Sequence, residues 1–267
     1  MRLIVKKLFY ISIFAILMQT SSVLAGSEGS EELKAKQQDT ASECFEGLSR
    51  VMFKFNHALD GALFEPVAKG YRTLPVAVRK GTGNVVDNLR SLLTLSNNIL
   101  QGDFRKAGNT ASRFVINSTV GILGIWDPAG ALGLEATGKE DFGQTMGVWG
   151  TRSGCYFVLP ILGPTTARDA IGLVGNMFLD PVYQITHNTE VASRSYSEHN
   201  YWYYRSTGAV DFRAKNIESF DSIEKNSLDL YASLKSLYLQ DRSKKIRNTQ
   251  TAVETQDDSD WEEIDTN

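Results

Sequence analysis

No stretch of eighteen or more apolar residues occurs in this 267-residue chain, which excludes a polytopic helical membrane protein. Positive charge is also scarce. Lys and Arg total 28 against 31 Asp and Glu, and the net charge of −3 excludes the basic surplus expected of a nucleic-acid binder. Three His and two Cys leave little material for a zinc site, and no two His stand four apart on one helix face. Motifs of catalysis are missing too. Ser153 lacks the spacing of a nucleophile elbow, and no Gly-rich loop precedes Lys-Ser or Lys-Thr. Gly81-Thr82-Gly83 lacks the third glycine of a dinucleotide loop. No cofactor, metal or catalytic residue is therefore expected. Apolar residues at 42% and charged residues at 22% suit a folded chain with a sizeable core. Twenty-two Gly and 10% aromatics are the unusual abundances.

The first 25 residues have the layout of a signal peptide. Arg2, Lys6 and Lys7 form a positive start, Leu8 to Met18 an apolar stretch broken only by Ser12, and Val23-Leu24-Ala25 a small-residue cleavage pattern. An uncleaved anchor is the alternative. Leu24-Ala25-Gly26 would be a lipoprotein cleavage box if Cys followed, but Ser27 follows, so no lipid anchor is expected there. Export would place Cys44 and Cys155 in an oxidising compartment. A disulfide and two buried, unpaired thiols are both open, with the thiols the favoured expectation. Residues 26–40 read as a flexible polar leader. A domain is expected over 41–247. Residues 248–267 read as a disordered acidic tail, with acids and no base from Thr251 on.

Within the domain the pattern is mostly helical. Phe45, Leu48, Met52, Phe55 and Leu59 recur every three or four residues, predicting a helix over 41–63. Pro66 fits the first turn of a short helix to Tyr71, and Pro75 opens another to about Leu100. Gly102 suits its end and Asp103 the next N-cap. That next helix aligns Phe104, Ala107, Ala111, Phe114, Val115 and Ser118 on one stripe. From Gly121 to Gly175 glycine is dense and helical periodicity fails until Thr165 or Thr166, which caps a helix to about Phe178. Val120 to Leu134 reads as an apolar hairpin turned by Asp127-Pro128. It is either a buried loop pinning helices or a segment that meets lipid. Asp180-Pro181 breaks the chain, and a helix-rich part follows from about Thr189. Tyr201 to Tyr204 reads as helix core plus rim or as an interfacial belt. Leu228, Tyr231, Leu234, Leu237 and Tyr238 mark the last helix, whose Arg242, Lys244, Lys245 and Arg247 would favour its C-terminus.

Several blocks stand in order along the domain. Phe55, Asn56 and Asp60 are followed by Pro66-Val67-Ala68 and Tyr71-Arg72. Asn84 to Gly102 forms a helical block that ends in Asn97-x-x-Leu100-Gln101-Gly102. Arg113 to Gly121 leads into Gly124 and Asp127-Pro128-Ala129. Asp141 to Thr145 with Gly147, and Leu159 to Asp169, continue in register, and Asp229, Tyr231 and Tyr238 lie on the last helix. Together these blocks resemble the VacJ/MlaA family of outer-membrane phospholipid-transport proteins. The resemblance implies a mostly α, ring-like single domain, embedded monotopically in the inner, periplasmic leaflet of the outer membrane around an amphipathic channel. It implies intermembrane phospholipid transport that removes misplaced lipid from the outer leaflet. The implied partners are phospholipid, an outer-membrane porin and a periplasmic lipid carrier. Two alternatives stand beside it: a porin-associated scaffold without transport, and a lipid-modifying enzyme.

Site residues follow from both readings. Phe55 and Asn56 match the family helix near the channel and would hold it closed. Gly121, Gly124 and Gly130 would be bending points of the hairpin, with Asp127 and Pro128 as its turn. Arg168 and Asp169 would pair to lock the turn at Gly163-Pro164.

Overall fold

A short strand and a long helical rod begin the domain. The computed structural model describes residues 41–187 and 198–247. The expected signal peptide, leader and acidic tail, and the expected start near Thr189, lie outside the described residues. Strand β1 (Ser42–Glu43) leads into α1 (Glu46–Leu59), a π turn (Asp60–Phe64) and α2 (Glu65–Arg72). The sequence predicts two helices broken before Pro66, whereas the rod is continuous. Pro66 would clash with the carbonyl four residues back in an α-helix. The π turn takes up that misfit, with the Glu65 N–H donating to the Asp60 carbonyl. Asp60 also receives a two-pronged pair from buried Arg213, at 2.9 Å from Nε and 2.8 Å from Nη2.

Helix α3 (Val76–Leu100) starts on Pro75, and α4 (Phe104–Thr119) is capped by the Asp103 carboxylate, which accepts from Lys106 N. Gly102 between them has φ 76°, the left-handed end that glycine allows. The expected apolar stripe of α4 is turned inward only in part. Ala107, Thr110 and Asn117 are buried, while Phe104 and Val115 face outward. Hydrogen bonds explain this. Asn98 donates to Thr110 at 3.2 Å and Asn88 to Ser118 at 2.9 Å across the α3–α4 seam.

The glycine-dense stretch is not free of regular structure. It holds α5 (Pro128–Ala131), α6 (Phe142–Val148), β2 (Cys155–Leu159) and β3 (Gly163–Thr166). Strand β1 runs parallel to β2, with Ser42 opposite Cys155, and β2 runs antiparallel to β3, with Tyr156 opposite Thr166. The unpaired-thiol expectation is overturned: Cys44 and Cys155 form a disulfide that staples the start of the domain to β2. Cys44 is exposed rather than buried. Residues 111 apart in sequence are thereby joined.

Thr166 caps α7 (Ala167–Leu179), and α8 (Pro181–His187) follows Asp180. Helix α7 lies directly on α6: a Cβ at Gly172 would stand 2.5 Å from the Gly143 backbone nitrogen. Helices α9 (Glu198–Lys215), α10 (Ile217–Asn226) and α11 (Leu230–Ile246) complete the chain, α11 capped by Asp229. One apolar cluster joins Ala68, Ala214 and Ile217, and a second joins Tyr156, Val158 and Tyr231 with Met52 and Phe53. Arg242 does not serve the C-terminus of α11 as the sequence suggests. Its guanidinium is drawn inward between Asp141 and Asp169.

Candidate functional site

Burial in this fold is inverted. Among the described residues nineteen buried side chains are polar or charged against ten that are apolar. Asn97, Asn98, Gln144 and Thr145 are almost completely enclosed. Such groups are tolerable inside only when bonded to one another. Thr145 donates to Asn97 Oδ1 at 2.8 Å, and Gln101 donates to Glu140 and Thr145 at 3.1 Å each. The large apolar side chains stand outside. Leu48, Val51 and Phe55 form an exposed stripe on α1. Ile171, Val174 and Phe178 form another on α7. Apolar exposure on this scale marks a surface for lipid or a partner. Among the described residues no helix is long and apolar enough to cross a membrane.

The segment 120–134 has two faces of opposite character. Val120, Leu123, Trp126 and Leu132 are 60–72% exposed. Its backbone is instead fastened to polar groups beneath. Asn84 donates to the Ile125 carbonyl at 3.0 Å, and the Asn117 carbonyl accepts from Gly124 N at 2.8 Å. The segment therefore pins α3 to α4 through its backbone while its side chains point outward. Gly121 and Gly124 are sites of close approach. A Cβ on Gly121 would lie 2.5 Å from two carbonyl oxygens, and one on Gly124, where φ is +92°, 2.6 Å from Asn88 Cβ. Ile122 and Leu123 adopt φ of 49° and 57°, strained values for such side chains.

Asp127 is the hub of the segment. It accepts from Gly130 N at 3.0 Å, Asn117 Nδ2 at 2.9 Å and Arg113 Nη2 at 2.8 Å. Burial pushes its carboxyl up, but the Arg113, Gly130 and Asn117 donors outweigh that and hold it below the usual carboxylate range. Pro128 opens α5, where its missing N–H costs no bond. Gly130 sits tight against Asp127, its Cβ position 2.7 Å from Oδ2.

Phe55 and Asn56 stand apart from that loop. Phe55 is half-exposed. The Asn56 amide donates to the Leu159 carbonyl at 2.8 Å and accepts from Ile161 N at 2.7 Å, so it clasps the β2–β3 turn. The turn offers Ile161 and Leu162 outward, both about two-thirds exposed. Gly163 has φ +81° and, with Pro164, begins β3. Arg168 Nε donates to Asp169 Oδ1 at 3.1 Å. Asp169 also accepts from Tyr238 at 2.6 Å and from Arg242 at 2.7 Å. Arg242 reaches Asp141 at 2.6 Å as well. Burial pushes both carboxyls up, but Arg242 holds them below their ordinary range, and they raise its own pKa in return. Sequence reading paired Asp169 with Arg168 to lock the Gly163-Pro164 turn and missed this buried triad. The signal available was Asp141 and Asp169 in two separate blocks, with an Arg on the last helix.

A cavity of about 420 Å³ lies beside the loop, walled by Val78, Gly81, Val85 and Leu89 of α3, Ile125 and Tyr204 of α9. Its size falls in the range of about 300–1,000 Å³ usual for small-ligand sites. Burial raises the Tyr204 hydroxyl to about 12. Within the aromatic run, Tyr201 is buried while Trp202 and Tyr203 are exposed, so core and outer surface share one helix.

Comparison with known proteins gives a consistent set of likenesses. The profile of the MlaA lipoprotein family matches residues 41–245. An uncharacterised protein of Rickettsia bellii (strain RML369-C) is 35% identical over 207 residues, 76% of each chain. The intermembrane phospholipid transport system lipoprotein MlaA of Escherichia coli (strain K12) is 30% identical over 207 residues, 76% of this chain and 78% of its own. A solved structure described as "Structural basis for maintenance of bacterial outer membrane lipid asymmetry" has a TM-score of 0.63 and 27% identity, covering 77% of this chain and 99% of its own.

Proposed function

Because the chain belongs to the MlaA lipoprotein family, we propose that it carries out intermembrane phospholipid transport, removing misplaced phospholipid from the outer leaflet of the outer membrane. The observation that carries this reading is the inverted burial, with hydrogen-bonded amides inside and aliphatic stripes outside. A protein that lies in one leaflet needs an apolar exterior, and one that passes a charged head group needs polar groups within. No bond need be made or broken, so this reading asks for no catalytic residue. The expected partners are an outer-membrane porin on the exposed apolar faces and a periplasmic carrier that accepts the lipid.

The segment 120–134 forms the hairpin beside the lipid path, with Gly121, Gly124 and Gly130 as its bending points. Phe55 and Asn56 help hold the channel closed, Asn56 through the β2–β3 turn that it clasps. Ser27 stands where a lipoprotein would carry its acylated Cys. The protein is therefore held at the periplasmic face of the outer membrane by its exposed side chains rather than by a thioether-linked lipid. The Cys44–Cys155 disulfide suits that exported location.

The test is a deletion strain in which surface-exposed phospholipid and total lysophospholipid are measured with labelled lipids. Surface phospholipid that rises, and returns to baseline with the intact gene, is the expected result. A fall in lysophospholipid without that rise would make the protein a lipid-modifying enzyme. No change in either would leave a scaffold.

A further inference from the structure

The rod that opens the domain keeps two lines of residues straight that a plain α-helix would not. Leu48, Val51, Phe55, Leu63 and Val67 are each 45–60% exposed, while Ser49 and Ala68 are almost completely buried. An α-helix turns about 100° per residue. From Phe55 to Leu63 that rotation would carry Leu63 about 80° off the exposed line. Ser49 and Ala68 would likewise stand about 100° apart. The π turn removes the mismatch. Its bond from Glu65 N–H to the Asp60 carbonyl encloses one residue more than an α turn and takes back about 100°. Leu63 then falls within about 20° of Phe55, and Ala68 comes into line with Ser49. Arg213 of α9 holds the turn at both ends. Its guanidinium bonds Asp60 at 2.8 and 2.9 Å and stands 3.6 Å from the Glu65 carboxylate.

The exposed line runs about 28 Å from Leu48 to Val67, and none of its five side chains can form a hydrogen bond. Lys54, His57 and Lys69 are exposed too, but on the neighbouring face. A folded partner would make about one hydrogen bond per 100–200 Å² of interface. A line that offers none fits hydrocarbon, and a helix that is amphipathic along its length lies in the plane of a leaflet. We propose that the π turn sets the register of a lipid-facing edge, keeping Leu63 and Val67 behind Leu48, Val51 and Phe55 so that the rod lays one unbroken apolar face against the acyl chains of a membrane leaflet. Among the exposed apolar faces, this one is given to lipid rather than to a protein. The inference rests on the membrane placement in the transport reading and adds the surface that makes the contact and the device that aligns it.

The test uses the full chain with phosphatidylcholine vesicles whose acyl chains carry bromine, a short-range quencher. A nitrobenzoxadiazole fluorophore is placed on one introduced thiol at a time, since Cys44 and Cys155 are already paired. Leu48→Cys, Phe55→Cys, Leu63→Cys and Val67→Cys should all be quenched to a similar extent, and Lys54→Cys and Lys69→Cys little. Deleting Ala62 takes the extra residue out of the turn. Quenching should then persist at Phe55 and fall at Leu63 and Val67. That deletion also shifts Ala68, so Leu63→Ser combined with Val67→Ser provides a second arm that leaves the backbone alone. Its partition into the vesicles should weaken about tenfold, from the apolar area lost at two side chains. Lys54→Ser should change partition by less than about twofold, because these vesicles carry no net charge. Quenching at Leu48 and Phe55 alone would overturn the proposal, as would quenching at Leu63 and Val67 that survives the deletion. Unchanged partition of the serine pair would overturn it even where the deletion variant fails to fold. Quenching at none of the four positions, with the chain running as a dimer, would put a second copy on this face and overturn it as well. Surface phospholipid in the strain lacking the gene is read separately. If the intact gene restores asymmetry while no rod position is quenched, only this surface falls. If the four positions are quenched while the gene restores nothing, the transport reading falls and the surface stands.

Discussion

Ile161 donates its backbone N–H to Asn56 Oδ1 at 2.7 Å, so a helix side chain stands in for a strand partner 105 residues away. The same amide donates to the Leu159 carbonyl. Ile161 holds φ at 67°, which an isoleucine adopts only when its surroundings insist. Asn56→Ala should cost about 1–3 kcal/mol, one or two net hydrogen bonds. Thermal unfolding of the full chain in detergent measures it. Ile161→Gly should stabilise the turn by relieving the left-handed strain. A lower unfolding midpoint in Ile161→Gly would show that the side chain, not the clasp, holds the turn.

Gly124 and Gly133 both have positive φ, +92° and +81°, but only Gly124 is crowded. Gly133→Ala should therefore cost about 1–2 kcal/mol from backbone strain alone. Gly124→Val must also displace Asn88 and should cost clearly more. It should disturb lipid asymmetry in cells as well. Equal unfolding midpoints for the two variants would contradict the close approach at Asn88, and unchanged asymmetry in Gly124→Val would count against a role for the loop.

Helix ends were legible because each has a local chemical signature. Gly102 supplies the left-handed exit, Asp103 accepts from Lys106 N, and Thr166 accepts from Asp169 N. The sheet was not legible. Strands of two, five and four residues are too short for an alternation to register, and their partners lie far apart in sequence. Nor could spacing reveal the inversion of burial. Leu48, Val51 and Phe55 recur every three or four residues whether they face a core or a membrane. The polar underside of segment 120–134 was hidden for the same reason: spacing does not show that Asn84 bonds the Ile125 carbonyl or that Asn88 and Asn117 are buried.

The disulfide joins positions 111 residues apart, and closing a loop of that size in the unfolded chain is worth about 4–5 kcal/mol in the chain-entropy account. Cys44→Ser with Cys155→Ser should lower the unfolding midpoint markedly. Reductant should destabilise the wild type and leave the double variant unchanged. Equal sensitivity of both proteins to reductant would rule out the staple as the cause.

Arg242 sets the sign of the acid response. Asp141 and Asp169 have folded pKa values below the ordinary 3.8. Their contribution is therefore complete above the unfolded value and is lost as pH falls through the folded values. Arg242→Gln leaves Asp141 buried without its cation, while Asp169 keeps Arg168, at a cost of about 3–5 kcal/mol near pH 7. Burial then raises the Asp141 pKa, so this variant should gain stability as pH falls toward 4–5, while the wild type does not. Unfolding midpoints across pH 4–8 read the difference. Parallel curves would show that the triad is not the titrating element.

Among the described residues, an interior with more polar and charged side chains than apolar ones has a calorimetric consequence. Exposing apolar surface on unfolding raises the heat capacity, and exposing polar surface lowers it. Here much apolar surface is already outside in the folded chain, and the groups that unfolding releases include Asn97, Asn98, Gln144 and Thr145. The heat-capacity increment per residue should fall below the usual value of about 12–15 cal/mol/K. The stability curve is then broad and shallow, and the fold changes little in stability between low and moderate temperature.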